Sequence, residues 1–454
     1  MENISNTALD AFKISLKGSL LFPNEEGYDQ ARAVWNGMID KRPAMIARCA
    51  NASDVVKSVQ LAREYDLLVS IKGGGHNVAG NAVCEGGLMI DMSGMKDIQI
   101  DTAKQTVRAE AGLLWSELDL ETQKFGLATT GGTVSHTGIA GLTLGGGLGW
   151  LMGKHGLSCD NLLSVEMVLA DGTLLTANET QNEDLFWAVR GGGGNFGIVT
   201  TFKYQLHPVG PQVIGGMILY PQSQAAEVLK FYRDFARTTP DELMVFAALM
   251  CTPEGMPVIA LLVGWFGDLS EGEAHLKPLH NFGTPLADLV GEIPYLQLQS
   301  IIDAAVPHGI NRYWKSGYLP QINDSFIEML QTQAAIQPSP YSFILFFHVK
   351  GVASRVDADK TAVGNRGDLW DFDIVSQWID TAEADKNIAW VRDFWAKVEP
   401  HTQGVYVNHL DVDDGNARVK AAYGKNFERL VAIKNQYDPT NFFHLNNNIV
   451  PTIV

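Results

Sequence analysis

Ile71-Lys72-Gly73-Gly74-Gly75-His76-Asn77 is the stretch on which the fold turns. A β-branched run at 67–71 reads as a strand, and three glycines follow it at once. The chain therefore leaves a strand and exposes a length of backbone bare of side chains. The N–H groups of such a loop can close around an anion such as a pyrophosphate, and this one ends by presenting an imidazole beside whatever it holds. Later in the chain, Lys154-His155-Gly156-Leu157-Ser158-Cys159-Asp160 offers a lone cysteine. A nucleophilic histidine and a nucleophilic cysteine in these surroundings point to a cofactor that is bonded as well as bound. The plainer alternatives are a hydrogen-bonding loop histidine and a buried, inert thiol.

Working outward, glycine divides the chain. Of its 45 glycines, 25 fall within residues 71–200, with no repeat or low-complexity tract to explain the excess. Strands are expected at 88–91, 106–109 and 198–206, and a hairpin at 163–170 and 173–176 about Asp171-Gly172. Helical apolar spacing marks 114–125 and 182–189. Beyond Pro208 and Pro211 glycine clusters thin out, aromatics increase, and a strand at 342–349 alternates with helices at 222–237, 382–398 and 424–437. This is an α+β pattern with a second domain whose face could cover a ligand. The closing stretch, Tyr437 to Asn448, is polar and rich in turns, yet termini are loose unless tied down. Its three asparagines suggest docking.

Composition sets outer limits. The 454 residues allow two or three domains. A net charge of −17 argues against nucleic acid and favours neutral or cationic small molecules. Four widely spaced cysteines do not form a disulfide framework. No signal peptide and no apolar run of about 20 residues is visible, so a cytoplasmic protein without membrane contact is expected.

Other motifs fail on context. Gly192-x-Gly194-x-x-Gly197 matches a dinucleotide fingerprint by letter, but a helix precedes it and a strand follows. Gly153-Lys154 lacks the earlier glycine of a phosphate loop, and His155 stands where a magnesium-binding hydroxyl belongs. No cluster has the spacing of a zinc site, so no metal is expected.

Taken together, Gly73-Gly74-Gly75-His76-Asn77, the run from Thr137 to Gly147, the run from Arg190 to Gly197 and the terminal Asp438-Pro439-Thr440-Asn441-Phe442-Phe443 resemble the berberine-bridge-enzyme-like FAD-linked oxidases of the vanillyl-alcohol-oxidase superfamily. The resemblance runs from about Tyr28 to Pro451. It implies a two-subdomain, PCMH-type FAD-binding domain at 1–210, a substrate domain with a large antiparallel sheet covered by helices at 211–405, and a segment at 406–454 returning to the FAD domain. It implies FAD held covalently, through His76 at the 8α-methyl carbon and Cys159 at C6, which leaves the hydride-accepting end of the ring free. Lys72, Gly73, Gly74, Gly75, Asn77, Gly80, Gly131, Gly132, Thr133, Thr137, Gly138, Gly141, Gly193, Asn195, Ile198, Asn408 and Asn446 fall on the family's cofactor loops. Cys84 is read as a packed thiol.

Catalysis requires a base, and the family's tyrosine-x-asparagine motif falls on Tyr406-Val407-Asn408. The alternative for Tyr406 is a core aromatic. His409 stands where a second aromatic often follows. Some members place a glutamate in a strand taken here as 345–351; none is present, and His348 is the site candidate there. Trp314, with Tyr313, and Arg366 are candidates for the substrate face. The implied activity is hydride removal from an alcohol or hemiacetal carbon of a sugar, oligosaccharide or glycosylated natural product, with molecular oxygen giving hydrogen peroxide. Oxidation of an amine or alkaloid C–N bond, oxidative cyclisation, another electron acceptor, and a flavin-carrying binding protein are the alternatives. A monomer or homodimer is expected.

Overall fold

The computed structural model describes residues 4–452. Its first layer is a four-stranded sheet ordered Ser19–Leu21, Met45–Arg48, Leu88–Asp91, Val69–Lys72, in which the last three strands run parallel. The helix Ala52–Glu64 begins at Asn51, whose side chain accepts the N–H of Asp54, and it buries Val55, Val59 and Ala62.

A five-stranded antiparallel sheet follows, ordered Ile98–Asp101, Thr106–Glu110, Ile198–Gln205, Leu162–Val168, Leu174–Asn178. The expected hairpin is its edge: Leu162–Val168 pairs with Leu174–Asn178, and Thr173 donates to Asp171 across the turn at 2.8 Å. The helices Trp115–Thr122 and Glu183–Val189 fall where the spacing places them.

The largest sheet is antiparallel, ordered Ala287–Asp288, Gln212–Pro221, Pro257–Trp265, Leu243–Cys251, Phe343–Val349, Leu369–Trp378, Asn311–Leu319. One face lies under the helices Ala225–Ala236, Asp324–Ala334 and Ala384–Val398. The last of these supplies Trp390, Val391, Phe394, Trp395 and Val398 as one apolar stripe.

Because successive strand residues alternate between faces, cross-strand pairing decides who looks where. Trp370, Phe372 and Ile374 go under the helices with Ile344 and Phe346. The opposite face carries Asp371 between Tyr318 and Phe347, and Asp373 between Ser316 and Leu345. That face turns toward the glycine loops of the first half of the chain.

Candidate active site

The glycine loops and the large sheet enclose one long cavity. Its first wall begins where Val69–Lys72 ends. A Cβ on Gly74 would lie 2.3 Å from the Gly138 nitrogen, and one on Gly138 would lie 2.5 Å from the Gly74 nitrogen, so two bare loops cross backbone on backbone. Gly73, Gly74, Gly75, His76, Asn77, Gly132, Thr133, Thr137, Gly138, Gly141, Gly193, Asn195, Ile198, Asn408 and Asn446 all line the cavity.

Six expected site residues are not brought there. Lys72 turns back to donate to the Ala31 carbonyl at 2.6 Å. Gly80, at φ +70°, sits against Ile39, and Gly131 packs under the Trp115 ring. Arg366 is buried in a two-pronged ion pair with Asp160, at 2.7 and 2.9 Å. His348 shares a strand with Phe347 but faces the other way. It stacks on Trp370 at 4.0 Å and meets Asp368 at 2.5 Å, and burial lowers its pKa despite that carboxylate.

Cys159 is the sixth. Its side chain is fully buried among Ala128, Leu148 and Leu157, in the turn Ser158–Asn161, and it does not reach the cavity. Burial, with the Asp160 carboxylate beside it, pushes the thiol well above its ordinary range, whereas attack needs a thiolate.

His76 lies on the cavity wall. It stacks on Trp35 at 4.8 Å, its Nε2 lies 2.8 Å from His136 Nδ1, and its Nδ1 lies 3.3 Å from the Thr137 hydroxyl. Burial first, then His136, His308 and Arg312, hold its pKa well below the usual value, so the imidazole is neutral. A neutral imidazole is the nucleophilic form.

Tyr406 stands at the other part of the cavity under three N–H donors. Gly147 donates to its oxygen at 2.9 Å, Leu148 at 3.3 Å and the Asn408 side chain at 2.8 Å. Gly146 and Gly147 adopt φ of +122° and +94°, which turns consecutive N–H groups toward one point. Burial raises the pKa of the phenol, and these donors oppose it by favouring the phenolate.

The group that motif reading passed over is beside it. His409 lines the cavity, with its ring edge-on to Tyr406 at 4.8 Å and against Trp314 at 4.6 Å. Its Nδ1 lies 2.9 Å from Asp373 and 3.2 Å from Asp371, both fully buried. Burial alone would lower the imidazole pKa, but the two carboxylates raise it to about 10. Trp314 donates to Asp373 at 2.8 Å and completes this wall, while Tyr313, one residue earlier, turns to the other face and bonds Asp413. Asp371 and Asp373 belong to a strand with no motif of its own. Their spacing of two, with His409 after Tyr406-Val407-Asn408, is the only signal in the sequence.

The cavity fits FAD by its own chemistry. A Cβ on Gly141 or Gly194 would meet nothing within 4 Å, so these glycines leave open space that no protein atom fills. The Asn446 side-chain oxygen is buried at the cavity without a partner. Backbone-lined loops suit a pyrophosphate, and the apolar walls suit a flat ring system.

The FAD binding domain family matches residues 43–178, and the berberine and berberine-like family matches 405–450. An FAD-linked oxidoreductase of Dictyostelium discoideum is 34% identical over 450 residues, 98% of this chain and 97% of that protein. (R)-6-hydroxynicotine oxidase of Paenarthrobacter nicotinovorans is 29% identical, over 97% of this chain and 98% of that protein. The crystal structure of 6-hydroxy-D-nicotine oxidase from Arthrobacter nicotinovorans superposes with a TM-score of 0.88, at 28% identity, covering 96% of this chain and 98% of that one. Crossed glycine loops, the tyrosine held by N–H donors and these likenesses converge: the chain belongs to the berberine-bridge-enzyme-like family of FAD-linked oxidoreductases.

Proposed function

We propose that this enzyme is an oxidase that removes hydride from a carbon bearing a hydroxyl or amine, in a neutral small molecule with a flat apolar ring. The observation that carries the reading is the Tyr406 oxygen under three N–H donors at 2.8–3.3 Å, beside the His409 imidazole. FAD, when bound, supplies the hydride acceptor, and its reoxidation by oxygen yields hydrogen peroxide.

Tyr406 acts as base in its phenolate form, which the N–H groups of Gly147, Leu148 and Asn408 hold in place and favour, and it takes the substrate's O–H or N–H proton as hydride leaves the adjoining carbon. Trp314, Phe343, Leu345 and Phe347 form the substrate wall and exclude water. Among the described residues no Asp, Glu, Lys or Arg lines the cavity, and the charge of His409 on its wall is met from behind by the buried Asp371 and Asp373, which favours a neutral substrate. A sugar would need a polar partner for most of its hydroxyls, and the sheet side of this cavity offers few. The lining therefore moves the reading from oligosaccharides toward ring-bearing alcohols and amines, in keeping with the relative named for 6-hydroxynicotine oxidation.

His76 is proposed to hold the flavin covalently, at the 8α carbon, as a single tether, since Cys159 lies away from the cavity. Acid-precipitated wild type should keep its flavin, His76→Ala should release it, and Cys159→Ala should keep it. Flavin retained by His76→Ala through acid treatment, and released only when Cys159→Ala is added, would restore the second bond and overturn the single tether. Peroxide formation on aryl alcohols, cyclic amines and hexoses tests the substrate reading. Tyr406→Phe should slow anaerobic flavin reduction by about 10²–10⁴-fold, and full turnover in that variant would remove the base assignment.

A further inference from the structure

Beside the glycine loop, three imidazoles from distant parts of the chain meet. His76 leaves that loop, His136 precedes Thr137, and His308 lies between Pro307 and Gly309 on the approach to the strand Asn311–Leu319. One ring nitrogen from each lies within 4.8 Å of the others. His76 Nε2 and His136 Nδ1 are 2.8 Å apart, the His136 and His308 rings are 4.8 Å apart, and His76 meets His308 edge-on at 5.3 Å. His308 is exposed, which gives an ion a way in. The platform is fixed: Trp35 stacks under His76 and donates to the Val306 carbonyl at 2.9 Å, which anchors the segment carrying His308.

We propose that the flavin-free chain binds one divalent transition-metal ion of the zinc class through His76, His136 and His308, and that this ion keeps His76 from accepting the flavin. The second half rests on the reading of His76 as the attachment residue. Three imidazoles suit zinc and its neighbours, and leave a fourth position to water. Bonds of about 2.0–2.1 Å in a tetrahedron separate ligand nitrogens by about 3.3 Å, so the 2.8 Å pair has only to open by a few tenths of an ångström. The set contains no oxygen ligand, so calcium and magnesium should not compete.

Charge around the cluster is mixed. The Arg312 guanidinium, 3.7 Å from the Trp35 ring and held by the Trp35 and Ile310 carbonyls, opposes a cation. The Asp303 carboxylate, bound by the Ser135 N–H and hydroxyl beside His136, offsets it. With Nε2 on a metal, the remaining proton of His76 sits on Nδ1, facing the Thr137 hydroxyl. Neither ring nitrogen then keeps a lone pair for bond formation. Positions 76, 136 and 308 share no spacing motif, which is why the sequence alone predicts no metal.

The test is a Co²⁺ titration of the full chain purified from riboflavin-starved cells, with circular dichroism to check folding. One equivalent should bind with visible absorption of a nitrogen-ligated ion, at least tenfold more weakly in His308→Ala and His136→Ala. The flavin-loaded enzyme should also bind at least tenfold more weakly. No saturable binding, or unchanged affinity in His308→Ala, overturns the site. In a second arm, Zn²⁺-loaded chain is mixed with FAD and covalent flavin is read by fluorescence on a denaturing gel. Attachment should slow at least tenfold, recover with EDTA, and be indifferent to Zn²⁺ in His308→Ala. An unchanged rate in wild type overturns the block. If no covalent flavin forms even without metal, the attachment reading fails, while the Co²⁺ titration still decides the site.

Discussion

His409 carries a charge that its surroundings require. Two fully buried carboxylates, Asp371 and Asp373, face one imidazole nitrogen at 2.9–3.2 Å, and the imidazole pKa rises to about 10. In the unfolded chain the same group titrates near ~6.5. The native state therefore binds more protons between those values, and the stabilisation is fully present below about 6.5 and lost as pH rises through about 10. Thermal stability of the wild type should fall between pH 7 and 10 by an amount that His409→Gln does not show. The variant itself should be about 3–5 kcal/mol less stable at pH 7, because it strands two buried carboxylates. A parallel pH dependence in the two proteins would mean that His409 is neutral.

At the scale of elements, the glycine loops separate two uses of the same residue. Gly74 has no room: a Cβ would meet the backbone of Gly138 at 2.3–2.6 Å, so Gly74→Ala must push the two loops apart and should lower the melting temperature of the flavin-free chain. Gly141, in the short helix Ile139–Leu144, meets nothing, so Gly141→Ala should fold as well as wild type yet hold less flavin. Melting curves with and without flavin, alongside absorbance at the flavin band, separate the two; equal flavin content in Gly141→Ala and wild type would show that this space belongs to something other than the cofactor. The elements that carry these loops were legible in the sequence because their signals are local. The strand Leu88–Asp91, the hairpin about Asp171-Gly172 and the helix Glu183–Val189 each follow from a short pattern of apolar and turn residues. The faces of the large sheet were not. Phe347 and His348 are adjacent, and only the helices packed on one side decide that Phe347 enters the cavity while His348 stacks on Trp370. The same missing information hid Asp371 and Asp373, which lie on a strand buried on both faces and acquire meaning only when His409 is laid against them.

At the scale of the molecule, the end of the chain closes the site. Lys434 and Asp438 form a fully buried ion pair at 2.7 Å, and Lys434 also donates to the carbonyls of Asn195 and Phe443 at 2.8 and 2.9 Å. Asp438 accepts the N–H groups of Phe442 and Phe443. Asn195 returns the contact by accepting the Ile449 N–H at 2.9 Å, and Asn447 donates to the Val407 carbonyl at 2.8 Å. One buried charge pair thus joins the final helix Phe427–Tyr437 to the glycine loop of Asn195 and, through the asparagines, to the segment that holds Tyr406. Asp438→Asn removes the carboxylate that pairs with a buried ammonium and should cost about 3–5 kcal/mol. The double variant Lys434→Met with Asp438→Asn should recover part of that loss, since no unpaired charge remains. Because Asn195, Asn446, Asn447 and Tyr423 line the same cavity, the single variant should also release noncovalently held flavin faster in a His76→Ala background. A fall in melting temperature with no change in flavin release would confine Lys434 and Asp438 to stability, and would place the closure of the cavity elsewhere in the fold.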